Sequence, residues 1–325
     1  MQPISNIQHP AYRIVFYGTP EIALESLKAL FEGGYQVAGV VTAPDRPAGR
    51  GMKLRASPVR QYAAEHGLTV LQPEKMSDPF FIEQLKALKP NLQVVVAFRM
   101  MPRAVWEMPP MGTFNLHASL LPQYRGAAPI NWAVINGEKE TGLTTFFLRD
   151  KVDTGDIIFR ESMSIGPEET AGELHDRMKV NGAQLVVRTV QSIFAGNVTT
   201  FDQSRFPVPG SQLKPAPKIY TETCRIDWTQ PSEVIFNLIR GLCPVPGAHT
   251  GIKLKDGTMA SVKIFRAGLE KQGPSAATGD VVSDGRSFLR ISASDGDLCI
   301  YELQLAGRKP MRTEEFLRGF GKNIV

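Results

Sequence analysis

LQVVVAF, residues 92–98, is apolar at every position but Gln93. A run this short and this apolar reads as a strand covered on both faces, the habit of strands in parallel sheets. The flanking chain repeats the signal. RIVFYG (13–18), QVAGVVT (36–42) and TVLQP (69–73) are further strand-like runs. Between them lie EIALESLKALFEGG (21–34), SPVRQYAAEHG (57–67) and DPFFIEQLKALKP (78–90), with apolar residues at helical spacing and glycine or proline at their ends. Strand and helix in alternation predict an α/β fold with a doubly wound, mostly parallel sheet. GLTTFFL (142–148) and a long amphipathic helix at 171–196 extend the pattern.

The texture then changes. FPVPGSQLKPAPK (206–218) holds four prolines in thirteen residues and reads as an extended linker. SEVIFNLIRGL (232–242) predicts one helix. IKLKDG, ASVKIFRAG, TGDVVSDG, FLRISASDG and CIYELQLAG are short alternating runs closed by glycine turns, the pattern of a small β-barrel or sandwich. The expected organisation is a first domain over 1–197, a linker over 198–217 and a small β domain over 218–325.

A chain of 325 residues exceeds one ordinary core. No apolar stretch approaches the roughly 20 residues of a bilayer span, and the polar start MQPISNIQHPAYR lacks a signal-peptide core. Cys224, Cys243 and Cys299 have neither metal-type spacing nor an even count, so a reducing cytoplasm is expected. No coiled-coil heptads appear, and a monomer is the expectation. The net charge of +5 is uneven: residues 1–205 carry 21 basic and 20 acidic side chains, residues 206–325 carry 16 and 12. A basic second domain suits a polyanionic partner.

Nucleotide-binding signatures are missing. After the first strand stands GTPEIA, without the second and third glycines of a dinucleotide fingerprint, and there is no phosphate-binding loop of the G-x-x-x-x-G-K-[ST] kind. The chemistry-bearing stretch is FNLHASLLPQYRGAAPIN (114–131). Asn115 and His117 are two apart, so on a strand they share one face, beside a loop of small and turn-forming residues. A single histidine on a strand is more often structural than catalytic. Here a turn with three carboxylates, DKVDTGDI (150–157), follows about 35 residues later. An amide donor, an imidazole and a carboxylate are the parts needed to stabilise an oxyanion and move a proton.

FNLHASLLPQYRGAAPIN, followed by ETGLTTF (140–146) and VDTGDI (152–157), resembles the 10-formyltetrahydrofolate-dependent formyltransferases. FYGTP (16–20), APDRPAGRGMKL (43–54), APKIY (216–220) and RIDW (225–228) are similar to motifs of the members that act on charged tRNA. The resemblance covers nearly the whole chain. It implies a Rossmann-like formyltransferase domain followed by an OB-like β-barrel that binds tRNA.

Position by position, the resemblance makes Asn115, His117 and Asp153 the catalytic trio, with Asp156 and Asp150 as the next candidates for the carboxylate. It places Ser119, Leu120, Leu121 and Pro122 against tetrahydrofolate, with Phe98, Arg99 and Met100 beside the pterin. VVVAFRMMP (94–102) departs from the family, because Arg99 and Met100 stand where a glycine and an aliphatic residue are common. The resemblance also implies 10-formyltetrahydrofolate as formyl donor, no metal, and the amine of methionine on initiator tRNA as acceptor. Formyltransferases for small amines, such as glycinamide ribonucleotide or an amino sugar, are the alternative; they should lack loop 43–54 together with the second domain. Asn115 and protonated His117 are then expected to donate to the oxyanion, with Asp153 stabilising the imidazolium.

For the tRNA the resemblance gives loop 43–54 with Arg50, and Lys218 at the start of the second domain; the run of basic residues adds Arg46, Lys53 and Arg55. The stretch 43–60 holds five basic residues against Asp45 alone, and its glycines and prolines predict a mobile loop able to close on phosphates.

Overall fold

The computed structural model describes residues 12–48, 53–207, 213–270 and 273–324. The chain folds as two compact units. One comprises the chain up to Gly126 with Gly142–Met163 and His175–Pro215; the other comprises Ala127–Thr141, Ser164–Leu174 and the chain from Ala216.

In the first unit, β1 (Ile14–Gly18) leads into helix α1 (Glu21–Glu32) and strand β2 (Val37–Val41). Two short strands, β3 (Arg46–Ala48) and β4 (Lys53–Arg55), are followed by helix α2 (Pro58–Glu65), strand β5 (Val70–Leu71) and helix α3 (Pro79–Ala87). Then come β6 (Leu92–Val96), the single turn α4 (Arg103–Trp106) and β7 (Thr113–His117). After helix α5 (Pro129–Ile135), which belongs to the second unit, come β8 (Glu140–Phe147), β9 (Ile157–Ser164) and the 24-residue helix α6 (Ala171–Phe194), whose first turn also falls in the second unit. The sheet order is β5-β2-β1-β6-β7-β8-β9. Pairing is parallel from β5 through β7 and turns antiparallel between β7 and β8. All five residues of β6 are buried, Gln93 included, whose amide oxygen accepts from the Thr113 hydroxyl at 3.0 Å.

Local chemistry explains the elements. Helix α1 turns Ile22, Ala23, Leu27 and Leu30 inward on one face, and Gly34, at φ +79°, follows its C-terminus. Gly18 lets α1 approach β1: a Cβ there would meet the Ala23 methyl and the Phe16 ring. At the start of α6, Thr170 and Glu173 cap each other's backbone N–H at 3.2 and 2.8 Å. Helix positions read from the sequence hold to within a few residues. Stretch 43–54 differs from the expected loop: its flanks pair as a two-stranded ribbon, Arg46 opposite Arg55 and Ala48 opposite Lys53. Lone arginines and prolines masked a hairpin of three residues a side.

The second unit carries helix α7 (Ser232–Leu242), strands β10 (Ala248–Lys253), β11 (Met259–Leu269), β12 (Val281–Ser283), β13 (Leu289–Ser292), β14 (Asp297–Leu305) and β15 (Met311–Arg312), and helix α8 (Thr313–Phe320). Each glycine-closed run named above became one of β10 to β14. They form one antiparallel sheet, β10-β11-β14-β13-β12, with β15 on β14. The OB-like barrel is therefore a half-barrel whose path ends at β10 and at the three-residue β12. Its core gathers Ile252, Val262, Ile264, Leu298, Ile300 and Leu303 with Ile235, Ile239 and Leu242 of α7 and Phe316 of α8. Arg240, 6% exposed, is held by Asn237 Oδ1 at 2.8 Å and the Glu169 carbonyl at 3.1 Å, so its buried charge is satisfied.

Candidate active site

In a doubly wound sheet, ligands lie beyond the carboxyl ends of the strands where the chain reverses its direction of winding. Here the reversal falls between β1 and β6. Beside it, β7 presents Asn115 and His117 on one face. Leu116, on the other, fits against Gly182 of α6, where a Cβ would come within 2.8 Å of its side chain. The sheet holds both polar residues in register, Asn115 between Val95 and Phe146, and His117 opposite Thr144.

His117 is 6% exposed. Its Nε2 lies 2.8 Å from the Tyr124 carbonyl oxygen, which only accepts, so Nε2 carries a proton. Its Nδ1 faces Asp153 Oδ2 at 3.9 Å. That leaves Nδ1 free for chemistry: a base on the neutral ring, a donor on the imidazolium. Asn115 is half-buried, and among the described residues its carboxamide has no hydrogen-bond partner. An amide held by a strand with open N–H groups fits a substrate carbonyl oxygen.

Tyr124 and Asp153 both adopt left-handed backbone, φ +57° and +53°, and so does Ala97 just after β6 at +48°. Non-glycine residues there are uncommon and gather at functional sites. The Asp153 carboxylate also accepts the Gly126 N–H at 2.9 Å, so turn 150–157 caps the loop after β7 as well as facing His117. Asp156 is committed to Arg149, and Asp150 is solvent-exposed.

In the segment read for folate, Ser119, Leu121 and Pro122 are buried and Leu120 is half-buried. The Ser119 hydroxyl donates to the Gln123 carbonyl at 2.6 Å. The Thr144 hydroxyl donates to the Ser119 carbonyl at 2.6 Å and accepts the Leu121 N–H at 3.2 Å. These side chains thus shape the loop from within. Phe98 lies edge-on to Tyr17, centroids 5.7 Å apart. Met100 is 77% exposed. Arg99 reaches from the loop after β6 to the loop after β5, donating to the Pro73 carbonyl and, at 2.7 Å, to that of Glu74. Burial pulls its guanidinium below the ordinary arginine range, and nearby Arg46 adds to this.

Of the basic residues read for tRNA, Arg46 and Arg55 are exposed and directly opposed on the β3–β4 ribbon. Like charges so placed cost stability, which suits a surface meant for an anion. Lys53 pairs in the ribbon through its backbone, and Arg50 lies outside the described residues. In the other unit, exposed Lys218 stands 5.6 Å from the ring of exposed Tyr220. Among the described residues no group of three or more His, Cys, Asp or Glu is placed to hold a metal ion, and no helix is long and apolar enough to cross a membrane.

The formyl transferase family model matches residues 12–190, and the model for the formyl transferase C-terminal domain matches 218–321. Methionyl-tRNA formyltransferase of Bacteroides fragilis is 51% identical over 95% of each chain, and that of Flavobacterium johnsoniae 48% identical over 94% of this chain and 96% of its own. The chain belongs to the methionyl-tRNA formyltransferase family. Among solved structures, the sugar 3N-formyl transferase WlaRD superposes with TM-score 0.64 at 18% identity, covering 92% of this chain and all of its own. HypX from Aquifex aeolicus, in complex with tetrahydrofolic acid, gives TM-score 0.64 at 18% identity over 97% of this chain and 48% of its own. At that identity they speak for the fold.

Sequence reading missed Gln203 in this formyltransferase. It is 5% exposed, in a 3-10 turn after α6, and its amide meets both Arg125 and the backbone of turn 153–155. No motif marks it, and it lies 50 residues from Asp153. Its one sequence signal is Asp202 just before it, a residue that caps short turns.

Proposed function

We infer that this protein transfers the formyl group of 10-formyltetrahydrofolate to the amino group of methionyl-initiator tRNA, giving the formylated tRNA that starts translation. The observation that carries this is the identity of about half the residues, across 95% of each chain, to methionyl-tRNA formyltransferases. A match that spans the ribbon and the half-barrel as well as the β7 site covers what acts on a tRNA along with what handles the formyl group.

The donor supplies the formyl carbon, and its N10 is the nitrogen that leaves. Asn115 donates an amide N–H to the carbonyl oxygen as that oxygen gathers charge. The proton held on His117 Nε2 leaves Nδ1 open as a base, in place of the imidazolium expected from the outset: Nδ1 takes the proton the attacking amine must shed and returns it to the departing nitrogen, while Asp153 steadies the imidazolium between the two events. The strand fixes Asn115 and His117 beforehand, so their alignment costs nothing at the moment of reaction.

The same reading assigns Phe98, Arg99, Met100 and the segment Ser119–Pro122 to the folate wall, and Arg46, Arg50, Lys53, Arg55 and Lys218 to tRNA phosphates. It divides the chain into a catalytic domain over 1–197, a linker over 198–217 and a tRNA-binding domain over 218–325. It treats the protein as a monomer acting in the cytoplasm, where charged tRNA is found. The opposed arginines of the ribbon and the net positive charge of residues 206–325 support the tRNA assignments.

The test is formyl transfer from 10-formyltetrahydrofolate to methionyl-initiator tRNA, run beside His117→Ala. Transfer by the intact protein and its loss in the variant are expected. Formylation of glycinamide ribonucleotide or an amino sugar, with charged tRNA ignored, would overturn the acceptor while leaving the trio.

A further inference from the structure

Asp153 sits in a closed circuit of hydrogen bonds. Its carboxylate accepts the Gly126 N–H at 2.9 Å. Next to Gly126, the Arg125 guanidinium donates twice to Gln203 Oε1, Nη2 at 2.6 Å and Nε at 3.2 Å. Gln203 Nε2 then donates to the carbonyls of Asp153 and Gly155, each at 2.9 Å, and so returns to the turn where the circuit began. Every bond lies within the first unit.

We propose that Gln203 is a positioning residue for the formyl-transfer step: its buried carboxamide fixes the left-handed Asp153 turn and, through Arg125, the loop whose Tyr124 carbonyl holds His117. The proposal rests on the function inferred above.

The chemistry of a carboxamide suits this task. Two carbonyl oxygens of the turn point at one place and need donors; an amide –NH2 supplies both. Its oxygen is then directed the other way, and only a donor can meet it there. Arg125 is that donor, and it thereby decides which end of the amide faces the turn. Left-handed backbone at Asp153 is strained and persists only where surroundings impose it. Gln203 ties down the carbonyls of Asp153 and Gly155, and Gly155 packs so closely that a Cβ there would collide with the Phe147 carbonyl. Both nitrogens of His117 depend on the result. Nε2 is held by the loop that Arg125 anchors, and Nδ1 faces the carboxylate that Gln203 aims.

The experiment is a double-mutant cycle on formyl transfer, with Gln203→Met, Asp153→Asn and the double variant. Methionine keeps the length and loses every hydrogen bond. A misplacement near 1 Å costs on the order of 100-fold, so Gln203→Met should lower kcat by about 10- to 100-fold, with KM for donor and tRNA little changed. In the Asp153→Asn background the same change should cost several-fold less, because the route through the carboxylate is already disabled and only the route through Tyr124 remains. A merely structural Gln203 would cost the same in both backgrounds, and that additivity would overturn the proposal. If Gln203→Met does not fold, Arg125→Ala takes its place in the cycle. It leaves the turn's donors present but lets the amide invert, and the same non-additivity is expected. Wild-type protein that transfers no formyl group overturns the function and this proposal together; active wild type with additive losses overturns the proposal alone.

Discussion

His117 Nδ1 and Asp153 Oδ2 stand 3.9 Å apart, too far for a hydrogen bond and close enough for charge to be felt. The opposite side of the ring is tied to Tyr124 at 2.8 Å. The imidazole is thus pinned at Nε2 and merely faced by a carboxylate at Nδ1. An imidazole locked to its carboxylate would have to break that bond before its Nδ1 could meet another group; this one does not. The carboxylate has its own anchor in the Gly126 N–H, so it stays in place when the ring changes charge.

Asn115→Ala should lower kcat by about 100- to 1000-fold, the usual cost of removing one oxyanion donor, and leave both KM values near wild type. The carboxamide has no partner to lose among the described residues, so folding should be unaffected and thermal midpoints should match. Steady-state kinetics with methionyl-tRNA read this directly. A rise in KM at unchanged kcat would move Asn115 from the reacting carbonyl to ordinary substrate binding.

Arg99→Gly removes the two bonds that join the loop after β6 to the Pro73 and Glu74 carbonyls. Glu74 is exposed and its carbonyl can turn to water, whereas Pro73 is buried, so the expected loss of stability is that of one hydrogen bond, roughly 1 kcal/mol. If the strap shapes the folate wall, donor KM should rise by about tenfold, the worth of one good hydrogen bond, while tRNA KM stays put. Arg46 lies near enough to weigh on the Arg99 guanidinium. A change confined to tRNA KM would therefore assign Arg99 to the ribbon.

Particular residues show what a sequence can carry. The apolar run at Leu92–Val96 announced a doubly covered strand, and Ile235, Ile239 and Leu242 announced one face of α7; both rest on periodicity, a local property. Asn115 and His117 were legible together because a strand repeats every two residues. The circuit through Gln203 was not. It joins residues 27 to 78 positions apart, and a glutamine in a short turn looks the same whether it faces solvent or the Asp153 turn. The ribbon at 46–55 was obscured differently: its pairing uses backbone groups, while its side chains are those of a loop.

Arg46→Ala and Arg55→Ala should each weaken binding of tRNA. Each phosphate contact removed should also flatten the dependence of log Kd on log salt by about one unit. Filter binding across a salt series measures both. Relief of the cross-strand repulsion acts oppositely on the free protein, so neither variant should lose thermal stability. A weaker complex with an unchanged salt slope would mean these arginines shape the ribbon without touching phosphate.

Alkaline pH should destabilise the fold before neutral or mildly acid pH does. Burial pushes the Cys243 thiol up to about 11 from 9.0, the Tyr62 hydroxyl up to about 12 from 10.0, with Glu32 assisting, and the Tyr17 hydroxyl higher still. Each group holds its proton more tightly folded than unfolded. Its contribution is complete below the unfolded value and is lost as pH rises through the folded one. Urea midpoints should accordingly be level from pH 7 to 8.5 and fall steadily from pH 9 to 11. Tyr17 allows a sharper test. Its hydroxyl is fully buried with no partner among the described residues, a cost of about 1–3 kcal/mol. Tyr17→Phe should then raise stability at pH 7 and shrink the alkaline loss. A variant less stable than wild type at pH 7 would show that the hydroxyl has found a partner, an enclosed water being the simplest, and that its burial is not a defect.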